Sequence, residues 1–127
     1  MANEKIIIPF ELYSSKNSRR ILKAGNRTIV AKSKRAKEQE EILTAFLWLQ
    51  RKKWKELIDG KEFPLRLSIT IYRQTKRRWD WNNISQNLFD CMVKAEWLPD
   101  DDAEHLTPIF EAWGVDSKNP RVELRVL

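Results

Sequence analysis

The hydrophobic period of this chain changes from two to 3.6 within residues 65–96, and that change demands a fold in which a strand feeds directly into a helix. Leu65, Leu67, Ile69 and Ile71 alternate with Arg66, Ser68, Thr70 and Tyr72, the pattern of a strand with one buried face. Ile84, Leu88, Cys91, Met92 and Ala95 then recur at i, i+4, i+7, i+8 and i+11, which predicts an amphipathic helix from Asn83 to about Glu96. Lys76-Arg77-Arg78 lies between the two elements, Asp80 stands at the N-cap or just before it, and Pro99 stops the far end. Asp80, Asn83, Asn87 and Asp90 fall away from the apolar stripe and form an expected polar face. Asp100-Asp101-Asp102 follows directly after Pro99. Oxygen donors at both ends of one helix suit a hard divalent cation, since Mg²⁺ takes one or two protein carboxylates and leaves positions for water and phosphate. N-capping at one end and a solvated acidic turn at the other account for the same residues without a metal.

The remaining elements follow from the same two periods. Ile6-Ile7-Ile8, closed by Pro9, predicts a buried first strand. Ala24-Gly25-Asn26 is turn chemistry between Arg19–Leu22 and Arg27–Ala31, a small hairpin. Ser33 is a candidate N-cap for one long helix reaching about Ile58, with Leu43, Phe46, Leu47, Trp54 and Leu57 on its inner face and only Gln50 interrupting them. Asp59-Gly60 ends that helix. A strand is expected from about His105 to Glu111, with Pro108 marking it as an edge or bulged strand. Residues Val115–Asn119 form the expected turn, and Val122, Leu124 and Val126 alternate in a last strand. The expectation is a single α+β domain, a small mixed sheet carrying two helices.

Charge is distributed unevenly. From Leu12 to Lys37 there is no acid, while Lys16, Arg19, Arg20, Lys23, Arg27, Lys32, Lys34, Arg35 and Lys37 are all basic. A solvated face normally mixes signs, so this run favours a polyanionic partner, as does the net charge of +6. Lys34, Arg35 and Lys37 occupy a helix first turn, the wrong sign for the dipole but a good seat for phosphate. One cysteine excludes an intrachain disulfide framework and a Cys-rich zinc site, and Cys91 on the apolar stripe reads as core. His105 reads as structural or exposed, because Mg²⁺ does not favour imidazole. No apolar run approaches the ~18 residues of a membrane span, and the N-terminal residues lack a signal-peptide pattern. The expectation is a soluble, cytoplasmic protein.

Asp-x-Asn-Asn-Ile at 80–84, Leu-Phe-Asp at 88–90 with Val-Lys-Ala at 93–95, and Leu-Pro-Asp-Asp-Asp-Ala at 98–103 together resemble the signature of the RusA family of Holliday junction resolvases. Ile6-Ile7-Ile8-Pro9 followed by Ser15-Lys16-Asn17-Ser18-Arg19 is similar to that family's first strand and Asn-containing loop, and Asn119-Pro120-Arg121-Val122-Glu123-Leu124 to its closing segment. The resemblance implies a RusA-like homodimer that binds four-way DNA junctions and cleaves them by Mg²⁺-dependent phosphodiester hydrolysis, with Mn²⁺ as a tighter-binding substitute. It implies that Asp80 and Asp101 hold metal, that Asn82 offers an amide oxygen, and that Asp100 or Asp102 supplies a further ligand. Lys16, Asn17, Arg19, Arg20, Lys34, Arg35, Lys76, Arg77 and Arg78 are the implied DNA contacts. Two positions depart from the family pattern. Asn82 stands where the family has its second aspartate, and Gln86 where some members have a catalytic lysine. A junction-binding protein of the same fold that has lost cleavage is therefore the second reading, and a basic interaction domain without junction specificity the third. Trp79 and Trp81, flanking Asp80, read as core residues, with stacking on an unpaired base as the alternative.

Overall fold

A computed structural model describes residues 4–12, 19–24, 27–32 and 34–127. Its centre is the predicted alternating strand, β4 (Leu65–Arg73), whose Leu65, Leu67, Ile69 and Ile71 are all buried. β7 (Arg121–Val126) pairs with it antiparallel, from Leu67↔Val126 to Tyr72↔Arg121. β1 (Ile6–Ile8) pairs antiparallel with β7 on the far side. On the other flank β5 (Leu106–Phe110) runs parallel to β4, from Leu65↔Leu106 to Ile69↔Phe110, and β6 (Gly114–Val115) continues that flank beside Tyr72 and Arg73. The sheet order is β1-β7-β4-β5, with β6 on β4. β2 (Arg19–Ala24) and β3 (Arg27–Lys32) form a separate antiparallel ribbon, in register from Arg19↔Lys32 to Ala24↔Arg27. This is the expected hairpin, with its Gly25-Asn26 tip outside the described residues.

The helices are α1 (Lys34–Leu49), α2 (Arg51–Ile58) and α3 (Trp81–Lys94). Leu43 and Leu47 of α1, Trp54 of α2, and Ile84, Leu88, Cys91 and Met92 of α3 are buried together with the sheet residues in one core. A small α+β domain results, as the alternating and 3.6-residue patterns predict. Its helices number three among the described residues, not two.

The expected single long helix is interrupted at Gln50, and neither Gly nor Pro is responsible. Trp97, just beyond α3, donates its indole N–H to the Leu47 carbonyl at 2.7 Å. In an unbroken helix that carbonyl would receive the amide of Arg51. It also accepts the Gln50 amide at 3.1 Å, a tightened turn, and the next bond, Trp54 N–H to Gln50 O at 2.9 Å, starts α2. Trp54 closes the arrangement by stacking on Trp97 at 4.4 Å between ring centroids and donating to its carbonyl at 2.8 Å. The proposed cap Ser33 lies outside the described residues.

Three further expectations need correction. β1 is an edge strand with one covered face, so Ile6 and Ile8 are buried while Ile7 is 43% exposed. Asn87 does not lie on a solvated polar face. It is buried, and its amide oxygen accepts from the Cys91 thiol at 3.8 Å. Val115, expected in a turn, belongs to β6, and the turn begins at Asp116, whose Oδ1 accepts the Asn119 amide at 3.1 Å. Pro108 does sit in an edge strand, as its missing N–H requires. Among the described residues no helix is long and apolar enough to cross a membrane.

Candidate functional site

The chain leaves β4 at Arg73, crosses residues 74–80 and enters α3, so the basic triplet and Asp80 hang between two elements anchored in the core. Arg73 fixes the near end of the loop. Its guanidinium pairs with Glu11 at 3.0 Å, donates to the Leu12 carbonyl at 3.0 Å and sits over the Trp79 ring at 5.4 Å. Glu11 also accepts the Gln74 amide at 3.2 Å. Lys76, Arg77 and Arg78 are exposed, and none of the described carboxylates pairs with them. Three exposed cations in sequence are the side-chain type that contacts phosphate oxygens where a nucleic acid is bound. The Glu11–Arg73 tie also means that the acid-free segment leaves the sheet at this same end.

Asp80 occupies the α3 N-cap position with extended dihedrals, φ −109° and ψ 130°, but its carboxylate makes no capping bond. Among the described residues its one side-chain partner is the Asn83 amide, donating at 3.5 Å. Capping is where an aspartate in this position normally spends its oxygens. Here both remain exposed, next to the exposed Asn82 in the first turn. Gln86 lies exposed one turn further along.

Asp100 and Asp101 are elsewhere. The loop carrying them precedes β5, whose Leu106 is in register with Leu65 at the start of β4, and Leu65 donates to the His105 carbonyl at 2.9 Å. Asp80 follows the end of β4. The 14 residues of α3 run between them, which is about 21 Å. Among the described residues no three His, Cys, Asp or Glu side chains come close enough to hold a metal ion. Within one chain the implied ligands are therefore two half-sites. Asp80 and Asn82 supply hard oxygen donors that suit Mg²⁺ where phosphate completes its shell, and Asp100 and Asp101 lie at the other end of the helix.

The acidic loop is partly accounted for by its own folding. Asp100 Oδ1 accepts the Asp101 amide at 2.8 Å. Asp102 Oδ1 accepts the Glu104 amide at 3.2 Å and meets His105 Nδ1 at 2.6 Å. The hydrogen bond from His105 holds the Asp102 carboxyl below its ordinary value. Asp102 is thereby engaged in the turn that starts β5, and the exposed Asp101 is left as the outward carboxylate. His105 is structural, as its lone position suggests, and its ring also meets Phe63 edge-on at 5.7 Å.

Of the implied DNA contacts, Lys16 and Asn17 lie outside the described residues, and Arg19 and Arg20 are placed only as backbone of β2. Lys34 and Arg35 are exposed in the first turn of α1, which contains no acid. α1 and α3 run in the same sense, since Glu40 pairs with Lys94 and Leu47 meets Trp97. That sense turns the start of α1 toward the Asp80 end.

An aromatic row escaped the sequence reading. Trp79 and Trp81 do pack inward in part, at 4.5 Å from each other, but they continue outward to Trp113 and Phe110. Sequence distance hid this, and the signal available was only the number of tryptophans.

No protein-family model matches the chain, and no curated protein matches it either.

Proposed function

We propose that the protein is a homodimeric endonuclease that binds branched DNA, four-way junctions in particular, and hydrolyses a phosphodiester with Mg²⁺ assistance. The observation that carries this reading is the junction between β4 and α3. There, Lys76, Arg77 and Arg78, without a carboxylate partner among the described residues, lead straight into an Asp80 whose carboxylate is withheld from helix capping. The resemblance to the RusA family, along nearly the whole chain and in the same order, supplies the substrate class.

In this reading the basic triplet and the Lys34–Arg35 turn grip backbone phosphates, which positions the strand without reading its sequence. Mg²⁺, where bound, supplies polarisation of the phosphate and activation of water. Asp80 and Asn82 orient that chemistry at the end of α3, and Asp101 joins them only from a second copy, because its own chain holds it a helix length away. An antiparallel pairing about a two-fold axis brings the partner subunit's Asp101 to Asp80, twice over. Exposed Ile42, Trp48 and Leu49 on α1 offer apolar surface for such a contact.

Asn82, Gln86 and the divided acids favour one competing reading, a junction-binding protein without cleavage. Incubating a four-way junction and a linear duplex of equal length with the protein, with and without Mg²⁺, separates the two. Metal-dependent cuts confined to the junction support the endonuclease. Tight junction binding with no cuts leaves the binder, and equal affinity for both DNAs overturns both. Affinity should fall steeply with salt as phosphate contacts release counterions.

A further inference from the structure

The edge of the sheet beside Asp80 carries a feature that phosphate gripping and hydrolysis do not use. Between the Ile69–Phe110 and Tyr72–Gly114 pairs, β4 advances three residues while the neighbouring strand advances four. The extra residue lies in the link 111–113 between β5 and β6 and acts as a β-bulge does, re-aiming side chains at a sheet edge. Glu111 is held in it at both ends, its amide donating to the Ile69 carbonyl at 3.0 Å and its carboxylate accepting from Ser68 at 3.0 Å. In an unbroken strand Trp113 would point to the face opposite Phe110. The inserted residue returns it to the same side, where its ring meets Trp79 edge-on at 5.5 Å.

A continuous aromatic row results. Trp113 abuts Trp79, Trp79 lies 4.5 Å from Trp81, and Trp81 lies 4.9 Å from Phe110. The inner members are half-buried, but Phe110 and Trp113 are 40% and 39% exposed. Rings left this open to water at a sheet edge do not serve the core; Trp54 and Trp97, by contrast, are buried. Trp79, the ring that Trp113 meets, directly follows Lys76, Arg77 and Arg78 in the chain.

We propose that Phe110 and Trp113 form a platform on which an unpaired DNA base stacks, while the phosphates of the same strand run along the Lys76–Arg78 loop. Rings beside cations are what a single-stranded segment requires, because every base offers a π face and every nucleotide a negative charge. This inference rests on the branched-DNA reading and refines it: the protein would engage the unstacked nucleotide at a branch point rather than the duplex arms alone.

The test measures affinity for a short oligothymidylate, a four-way junction and a linear duplex by fluorescence anisotropy. The proteins are the wild type, Trp113→Leu, Trp113→Phe and Phe110→Leu, each checked for an unchanged melting temperature. Leucine keeps apolar volume and removes the π face. Both leucine variants should lose about tenfold or more on the oligothymidylate and the junction, the worth of one stacked base, with duplex affinity unchanged and Trp113→Phe near wild type. Equal losses on all three DNAs, or none on the oligothymidylate, overturn the platform. Wild-type protein that prefers no junction over duplex, yet shows the Trp113-dependent oligothymidylate binding, sinks the branched-DNA reading and leaves the platform standing.

Discussion

Glu96 adopts φ 62°, a left-handed conformation that suits glycine far better than a residue with a Cβ. The reason is the end of α3. The Glu96 amide donates to the Val93 carbonyl at 3.0 Å and the Trp97 amide to the Met92 carbonyl at 2.9 Å, the paired bonds of a Schellman ending. Among the described residues its only ion pair is an open one with Arg51 at 3.7 Å, which is worth little. Glu96→Gly should therefore raise stability by about 1 kcal/mol, measured as a higher urea midpoint at unchanged slope. A lower midpoint would mean that the side chain matters more than the backbone. Asn82 presents the other question at this scale. An amide retains an oxygen ligand and removes one negative charge, so Asn82→Asp should lower the Mg²⁺ concentration needed for half-maximal junction cleavage. Asp80→Asn should abolish cleavage and leave junction binding within about twofold, since phosphate contacts carry affinity. An Asp80→Asn protein that cuts normally would place the chemistry elsewhere.

At the scale of elements, a charge network ties β1 to β7 and the preceding turn. Glu123 accepts from Lys5 at 2.7 Å and from Arg121 at 2.8 Å, and Arg121 also reaches Asp116 at 2.8 Å while lying over the Tyr72 ring at 4.0 Å. The Lys5 hydrogen bond, then that of Arg121, holds the Glu123 carboxyl below its ordinary value of 4.5 despite partial burial. A carboxyl depressed in the folded state contributes stability above its unfolded value and loses that contribution as pH falls through the folded one. Glu123→Gln should cost about 1 kcal/mol at pH 7, and the difference from wild type should shrink progressively below about pH 4.5. Urea titrations of both proteins from pH 7 to pH 2 measure it. A difference that stays constant over that range would assign the loss to packing.

At the scale of the molecule, the separation of Asp80 from Asp101 sets the strongest demand. If each site combines Asp80 and Asn82 of one subunit with the partner subunit's Asp101, then Asp80→Asn and Asp101→Asn proteins are each inactive. After unfolding and refolding together, half the dimers should be mixed. Each mixed dimer has one site carrying both changes and one carrying neither, so about a quarter of the wild-type activity should return. Absence of recovery, with mixed dimers verified by differently sized tags, would rule out the shared site. Sedimentation should show a dimer at micromolar concentration, with or without junction DNA.

What the sequence by itself determined were the features with a local cause. The alternation in 65–72, the apolar stripe in 84–95, the turn chemistry at 24–26 and the edge-marking Pro108 each act within a few residues. All appear as β4, α3, the β2–β3 hairpin and β5. The Lys76–Arg78 run and Asp80 were legible for the same reason. Tertiary structure decided the rest, because the deciding partner lies far along the chain. The helix divides at Gln50 because Trp97, 50 residues from Leu47, takes a backbone carbonyl. Asn87 is buried because α1 covers that side of α3, where Cys91 donates to the Glu40 carbonyl. The acids at 80 and 100–101 are legible as the two ends of one helix and are expected to converge on one cation, but the 14 residues of α3 hold them apart within one chain. The aromatic row forms because one extra residue between β5 and β6 changes which face Trp113 occupies. Periodicity reports which side of an element is apolar, and only packing decides what that side meets.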